Sequence, residues 1–226
     1  MIGIDLHDAD VTADLSGREG REQATAGVAE LSGSCLDGAV ACAGLGPQTQ
    51  PSALISSVNY FGALSVLDGM LALLAAGEAP AAVAISSNAA SLTPPHQELL
   101  QLLLDDDEDQ ASACAATLDG STVYGTSKLA LTRAIRRRAG PWGDAGVRLN
   151  ALAPGPVDTP LLKGGLEDPV LGPLIEALPV PVGRRASATE IAAAVGFLLD
   201  PANGFVHGSV LFVDGGSDAL LRPDVF

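Results

Sequence analysis

The sequence predicts an α/β protein organised around a parallel sheet. Short apolar runs bounded by Gly, Asp or Pro alternate with longer stretches of helical periodicity, the signature of β-α units. The 226 residues, 47% of them apolar, are enough for one well-buried core. No period of about 20 to 50 residues recurs, which excludes a solenoid. A single domain spanning residues 1–226 is therefore expected, interrupted by a helical and acidic insertion at about 91–120.

The elements follow in order. Residues 1–5 read as a strand end already in progress at Met1. A helix is expected from Ser16, with Glu19 completing a capping box, to near Ser32-Gly33. Residues 38–42 form a buried strand that opens into Ala43-Gly44-Leu45-Gly46-Pro47, and a long helix runs from about Ser52 to Ala76. The next strand covers 82–86. Within the insertion, Pro94-Pro95 precede a Leu-rich helix over 98–104, and the five acids of 105–109 read as a solvated helix end or loop, with no metal expected. A helix carrying Tyr124 and Lys128 continues to about Ala139, with Arg136, Arg137 and Arg138 complementing its dipole before Gly140-Pro141 close it. Residues 147–153 are a strand, Ser187 and Glu190 cap a helix through Leu199, and 210–213 form the last strand.

A net charge of −15 repels phosphate backbones and anionic lipid, so neither nucleic acid nor a membrane surface is an expected partner. Cys35, Cys42 and Cys114 are too few and too irregular for a disulfide framework or a metal site. Reduced thiols, no secretory leader pattern and no uninterrupted apolar stretch of about 18 residues point to the cytoplasm.

Tyr124 and Lys128 stand one helical turn apart and emerge on one face. A fixed positive charge beside a phenol stabilises the phenolate and brings proton exchange toward neutral pH, as a general acid or base requires. A surface lysine beside a half-buried tyrosine would share the spacing.

Together with Ile2-Gly-Ile-Asp5, Cys42-Ala-Gly44, Val58-Asn59-Tyr60, Ile85-Ser-Ser87, Arg148-Leu-Asn150 through Pro154-Gly155, and Val213-Asp-Gly-Gly216, this pair makes the chain resemble the short-chain dehydrogenase/reductase family along essentially its whole length. Within the family, the runs 43–49, 57–62, 142–150 and the tail from Leu221 to Phe226 resemble the bacterial 3α-hydroxysteroid dehydrogenase/carbonyl reductases. The resemblance implies a Rossmann-like doubly wound sheet, homo-oligomerisation, and hydride transfer between NAD(H) and a secondary alcohol or ketone such as a hydroxysteroid or another hydrophobic carbonyl compound. It assigns proton exchange to Tyr124, lowering of its pKa and ribose binding to Lys128, oxyanion stabilisation to Ser87, and positioning of a relay water to Asn59. Asp5 would accept from the adenosine ribose and repel a 2′-phosphate, Asp14 and Leu15 would flank adenine, and Cys42, Ala43 and Gly44 would let the backbone approach the cofactor. Pro154 and Gly155 would also contact the cofactor, and Thr159 would hold the carboxamide. Residues 161–182, rich in Leu, Pro and Gly, would line the substrate pocket without specifying its ligand.

Relative to the family the chain is N-terminally truncated. A first strand and the loop Thr-Gly-x-x-x-Gly-x-Gly would precede Ile2, a difference of about 30 residues. The sequence is then expected to be a fragment, or a shortened product that repacks its sheet or recruits a strand from a second copy, or a scaffold put to another use. The enzymatic rival is a cofactor-independent esterase built on Ser87, Tyr124 and Lys128, although no Gly-x-Ser-x-Gly elbow is present and His7, His96 and His207 have no evident triad partners. The remaining rival is a catalytically silent oligomeric scaffold.

Overall fold

The computed structural model describes residues 1–225; Phe226, the last residue of the tail noted above, lies outside them. Four parallel strands, β3 (Gly38–Ala41), β4 (Ala81–Ile85), β5 (Arg148–Pro154) and β6 (Val210–Val213), pair in chain order. Alternation along them sorts the two faces. Ala82, Ala84, Leu149 and Ala151 enter the larger core, while Val83 and Leu152 face a smaller one with Leu198. Small alanines on the first face let helices lie close to the sheet.

Two further strands, β1 (Ile4–Asp5) and β2 (Val11–Thr12), make a separate parallel pair. The second of them was not anticipated from the sequence, because two residues are too few to show a period. No ladder joins β1 to β3 among the described residues. The expected continuous sheet is thus split, and the split falls where the resemblance places one additional central strand. Val40 on the open edge of β3 is 42% exposed, unusual for a strand flanked by helices.

The helices are α1 (Arg18–Leu31), α2 (Ala53–Ser56), α3 (Ala63–Ala75), α4 (Ala89–Leu92), α5 (Gln97–Leu104), α6 (Glu108–Ala115), α7 (Gly120–Arg137), α8 (Ala139–Asp144), α9 (Pro160–Glu167), α10 (Leu171–Ala177), α11 (Ala188–Leu199) and α12 (Ser217–Leu221). The long helix expected from Ser52 is continuous over Ala53–Ala75, with a π-helical turn at Ser57–Gly62 joining α2 to α3. By length and composition this run would be long and apolar enough to cross a bilayer. Instead Ile55, Leu64, Leu67 and Leu74 are buried in the main core.

Three local expectations are corrected. Gly17, not Ser16, precedes α1 and has no side chain to cap it, and the Ser16 amide that Glu19 would accept from in a capping box is taken by Asp14 Oδ1 at 2.8 Å. Gly140-Pro141 do not end the helical path; they lie in the first turn of α8, where proline needs no amide partner. The acidic run is only partly a solvated loop. Asp107 caps α6, and Glu108 pairs with the buried Arg21 at 2.7 Å. Arg21 also donates to the carbonyls of Leu15, Ser16 and Ser57, so the insertion ties α1 to the π-turn. The capping box at Ser187 and Glu190 forms as expected.

Trp142 on α8 is 1% exposed, and its carbonyl accepts from Val147 as the chain enters β5. Trp142→Ala is expected to cost about 3–5 kcal/mol of unfolding free energy. Urea denaturation measures this, and a loss below about 1 kcal/mol would show that the site collapses around the smaller side chain.

Candidate active site

Parallel sheets present their ligand crevice at the carboxyl ends of the strands. Cys42 to Gly44 leave β3 there, Ser86 to Asn88 leave β4, Pro154 and Gly155 close β5, and Asp214 to Gly216 follow β6. The backbone stitches these ends together: Asn88 donates to the Pro154 carbonyl at 2.8 Å and Gly155 to the Val213 carbonyl at 3.0 Å. A Cβ at Gly155 would fall 2.7 Å from the Asp214 Cα, so glycine there permits the close approach of two strand ends.

Helix α7 carries Tyr124 and Lys128 into this crevice. Its N-terminus is fixed by Asp119, whose carboxylate accepts from the Thr122 amide at 3.0 Å and from the Thr122 hydroxyl at 2.7 Å. One turn later Gly125 lies against Thr93, where an added Cβ would sit 2.5 Å from the threonine Cβ. This contact brings α4, and with it Ser87, onto α7. On the other side Ser86 Oγ donates to the Lys128 carbonyl at 3.1 Å and contacts Thr132 Oγ1 at 2.8 Å.

Lys128 is 5% exposed, and its Nζ donates to the Ile85 carbonyl at 2.8 Å. That bond accounts for one of three ammonium donors; the other two have no partner among the described residues. Burial pushes its pKa down to about 8, opposed by the Cys42 thiol group nearby. Nζ stands 5.9 Å from the centroid of the Tyr124 ring. The phenol does not show the downward shift expected from that neighbour. Burial raises its pKa, and the counteracting influence comes from the Ser87 hydroxyl rather than from Lys128.

Asn59 is fully buried in the π-helical turn. Its Oδ1 accepts from the Leu45 amide at 2.7 Å, and its Nδ2 donates to the Leu45 carbonyl at 2.9 Å. The Asn59 side-chain amide is thus engaged by the loop after β3. A Cβ at Gly44 would lie 3.3 Å from Asn59 Oδ1 and 3.7 Å from Lys128 Nζ, so Gly44, Asn59 and Lys128 share one corner of the crevice.

The other expected residues are more dispersed. Asp5 ends β1 with its carboxylate accepting from the Leu6 amide at 2.6 Å, while Cys42 and Ala43 are exposed at the end of β3. Asp14 is held below the usual carboxylate range by hydrogen bonds from Ser16, and the Leu15 carbonyl receives Arg21. Thr159 caps α9, accepting from the Leu162 amide and donating to the Val157 carbonyl, each at 3.3 Å. Among the described residues no cluster of three metal-ligating side chains occurs. His207 Nδ1 accepts from the Leu149 amide and Nε2 meets the Ala139 carbonyl, while His96 caps α5, so neither is poised as a catalytic base. Sequence reading gave no role to Gln48, whose amide lies between the loop after β3 and α9; no motif singles out one glutamine in a loop.

Residues 110–218 match a family model described as enoyl-(acyl carrier protein) reductase. The chain is 46% identical to the 3-alpha-hydroxysteroid dehydrogenase/carbonyl reductase of Comamonas testosteroni, over all of this chain and 90% of that protein. A galactitol 2-dehydrogenase (L-tagatose-forming) of Cereibacter sphaeroides is 43% identical over 41% of this chain and 36% of its own length. Among solved structures, the 3-alpha-hydroxysteroid dehydrogenase of Pseudomonas sp. B-0831 complexed with NADH superposes with a TM-score of 0.97 at 44% identity, covering 100% of this chain and 89% of that one. With so high an identity to the Comamonas enzyme along its full length, the chain belongs to the short-chain dehydrogenase/reductase family.

Proposed function

We propose that the protein is an NAD(H)-dependent oxidoreductase that interconverts a secondary alcohol and a ketone, with a hydroxysteroid or another hydrophobic carbonyl compound as substrate. The observation that carries this reading is the convergence of the Ser87 hydroxyl, the Tyr124 phenol and the Lys128 ammonium at the carboxyl end of β4, beside the side-chain-free backbone of Gly44. The named activities of the two hydroxysteroid dehydrogenases support it.

The residues present fit a dinucleotide at both ends. Lys128 has two free ammonium donors for ribose hydroxyls, Gly44 leaves the space a Cβ would fill, and Asp5 offers an exposed carboxylate at the end of β1. The bound nicotinamide would supply or accept the hydride. Tyr124, kept protonated at neutral pH by burial, would donate its proton to the substrate oxygen during ketone reduction, and as phenolate would take it back during alcohol oxidation. Ser87 would donate a hydrogen bond to the same oxygen as charge develops on it. Asn59, its side chain holding Leu45, would position a water that relays protons to Lys128. Asp14 and Leu15 would border adenine, Cys42 and Ala43 the adjoining backbone, Pro154 and Gly155 the nicotinamide pocket, and Thr159 the carboxamide, its hydroxyl shared with the α9 cap. The esterase rival finds no support in the positions of His96 and His207.

The protein would act as a homo-oligomer in the cytoplasm, within one domain. Phe197 on α11 is 48% exposed and Phe205 fully exposed, an apolar face that a second copy would cover. A reducing compartment would keep the Cys35, Cys42 and Cys114 thiols free.

Three experiments test this reading. Tyr124→Phe should lower kcat by about 10²–10⁴ while NADH affinity, followed by fluorescence, stays nearly unchanged; normal turnover would remove Tyr124 from the chemistry. Asp5→Ala should relax the preference for NAD(H) over NADP(H), and an unaltered ratio of kcat/KM values would discredit the ribose assignment. The third concerns the depressed pKa of Lys128. Between about 8 and 10.5 the unfolded chain binds more protons, so the native state is penalised at neutral pH and relieved as pH rises through that window. Lys128→Met should therefore abolish turnover yet raise unfolding free energy at pH 7 by about 2 kcal/mol, after allowing for the donor lost by Ile85. The gain should fade by about pH 10.5; a gain independent of pH would exclude a buried charge as its cause.

A further inference from the structure

The segment Asp14-Leu15-Ser16, which follows β2, is gripped by side-chain-free backbone. A Cβ at Gly20 of α1 would strike the Asp14 carbonyl, and one at Gly62 in the π-helical turn would fall 3.0 Å from the Leu15 carbonyl oxygen and 3.2 Å from the Leu15 Cβ. The atoms met are backbone and Cβ atoms, which cannot swing aside, so glycine is what permits this approach. Arg21, 4% exposed, bonds to the same segment. Its Nε donates to the Leu15 carbonyl at 2.7 Å, and its Nη2 donates to the carbonyls of Ser16 and Ser57, each at 3.0 Å. One guanidinium thus joins the chain after β2 to the first residue of the π-helical turn. The Phe61 ring flanks it, with its centroid 5.8 Å from Cζ. Glu108 of the insertion sets its plane, accepting from Nη1 at 3.0 Å and standing 2.7 Å from Nη2 in a two-point fork.

Two bodies meet at this guanidinium. Asp5 and Asp14 belong to one, because β1 and β2 are laddered and the Ala13 amide donates to the Asp5 carbonyl at 3.0 Å. Asn59 and Lys128 belong to the other, where Leu45 and Ile85 hold them. No ladder joins β1 to β3 among the described residues, and Arg21 is a directional crosslink between the bodies.

We propose that Arg21 is a positioning residue for the dinucleotide, a buried strut aligned by Glu108 that fixes the adenosine end of the crevice relative to the π-helical turn, so that a residue of the insertion governs cofactor affinity. A ligand with two linked ends gains from both only where their sites already stand at the right spacing; otherwise binding must do the ordering, and that cost is subtracted from affinity. Arginine is the side chain the task demands. A single ammonium cannot offer a planar set of donors to three carbonyls and a carboxylate at once.

This inference rests on the proposed function in taking a dinucleotide as the ligand. Glu108→Gln removes the charge and one arm of the fork, and Arg21→Lys keeps the charge and loses the fork. On the full chain, the Kd for NADH, read by fluorescence, should rise about tenfold in each variant. The Kd for AMP, which occupies the adenosine end alone, should change less than about twofold by calorimetry, because one body suffices to bind it. The kcat of Glu108→Gln at saturating NADH should also stay within about twofold, since Asn59 and Lys128 keep their own anchors. A merely structural arginine would weaken AMP and NADH in parallel, and that result would overturn the proposal. Unchanged NADH affinity in either variant would overturn it as well, by showing that the fork does not set the spacing. If the wild-type chain binds no NADH, the functional reading falls and takes this inference with it, an outcome distinct from wild-type binding that the variants leave undisturbed.

Discussion

The hydrogen bond from Lys128 Nζ to the Ile85 carbonyl is the constraint on which the crevice depends. It fastens the middle of α7 to the last residue of β4, one position before Ser86 and two before Ser87. An ammonium is costly to bury, and this one is tolerated because its head finds a carbonyl acceptor while its stem fills space along the helix. The Ser86 hydroxyl braces the Lys128 carbonyl from the same strand end. Once Lys128 is fixed, Tyr124 follows one turn away on the same rigid helix, and Asn59 and Gly44 close the corner behind it.

The split sheet gives this arrangement a second character. The residues proposed for the adenosine end, Asp5, Asp14 and Leu15, belong to β1, β2 and their flanks, whereas those proposed for the nicotinamide end belong to the four-stranded sheet. No strand ladder sets the distance between the two groups among the described residues. Between them the buried Arg21 joins α1 to the π-turn through carbonyl contacts and to α6 through Glu108. An ion pair with several backbone acceptors on its cation is well suited to this, since directional bonds fix orientation where apolar packing alone permits sliding.

Much of this was legible in the sequence, and the remainder was hidden for physical reasons. Strands of four or more residues and the helices with clear apolar stripes announced themselves through period; β6 falls on the expected residues 210–213. The capping box at Ser187 was readable and formed, while the similar-looking Ser16 and Glu19 did not, because Asp14 reached the Ser16 amide first. Gly140-Pro141 looked like a terminator, yet proline in a first turn is also a helix starter, and only the structure chooses between them. The resemblance supplied the grouping of Ser87, Asn59, Tyr124 and Lys128. It did not reveal that the Asn59 amide is spent on Leu45, because backbone hydrogen bonds across loops leave no pattern in sequence.

The same limitation explains the phenol. Spacing alone argued that Lys128 would draw the Tyr124 proton off more easily, since two charges one turn apart attract in any medium. Burial acts on both groups at once and favours the uncharged form of each, raising the phenol and lowering the ammonium. With the ammonium brought to about 8 and standing 5.9 Å from the ring centroid, its pull on the phenolate is outweighed by the loss of solvent around the phenol. A buried neutral phenol beside a hydroxyl is a proton donor, and a proton donor is what a ketone oxygen needs as hydride arrives at its carbon. The desolvation that defeats the simple charge argument therefore keeps the phenol in its protonated form at neutral pH.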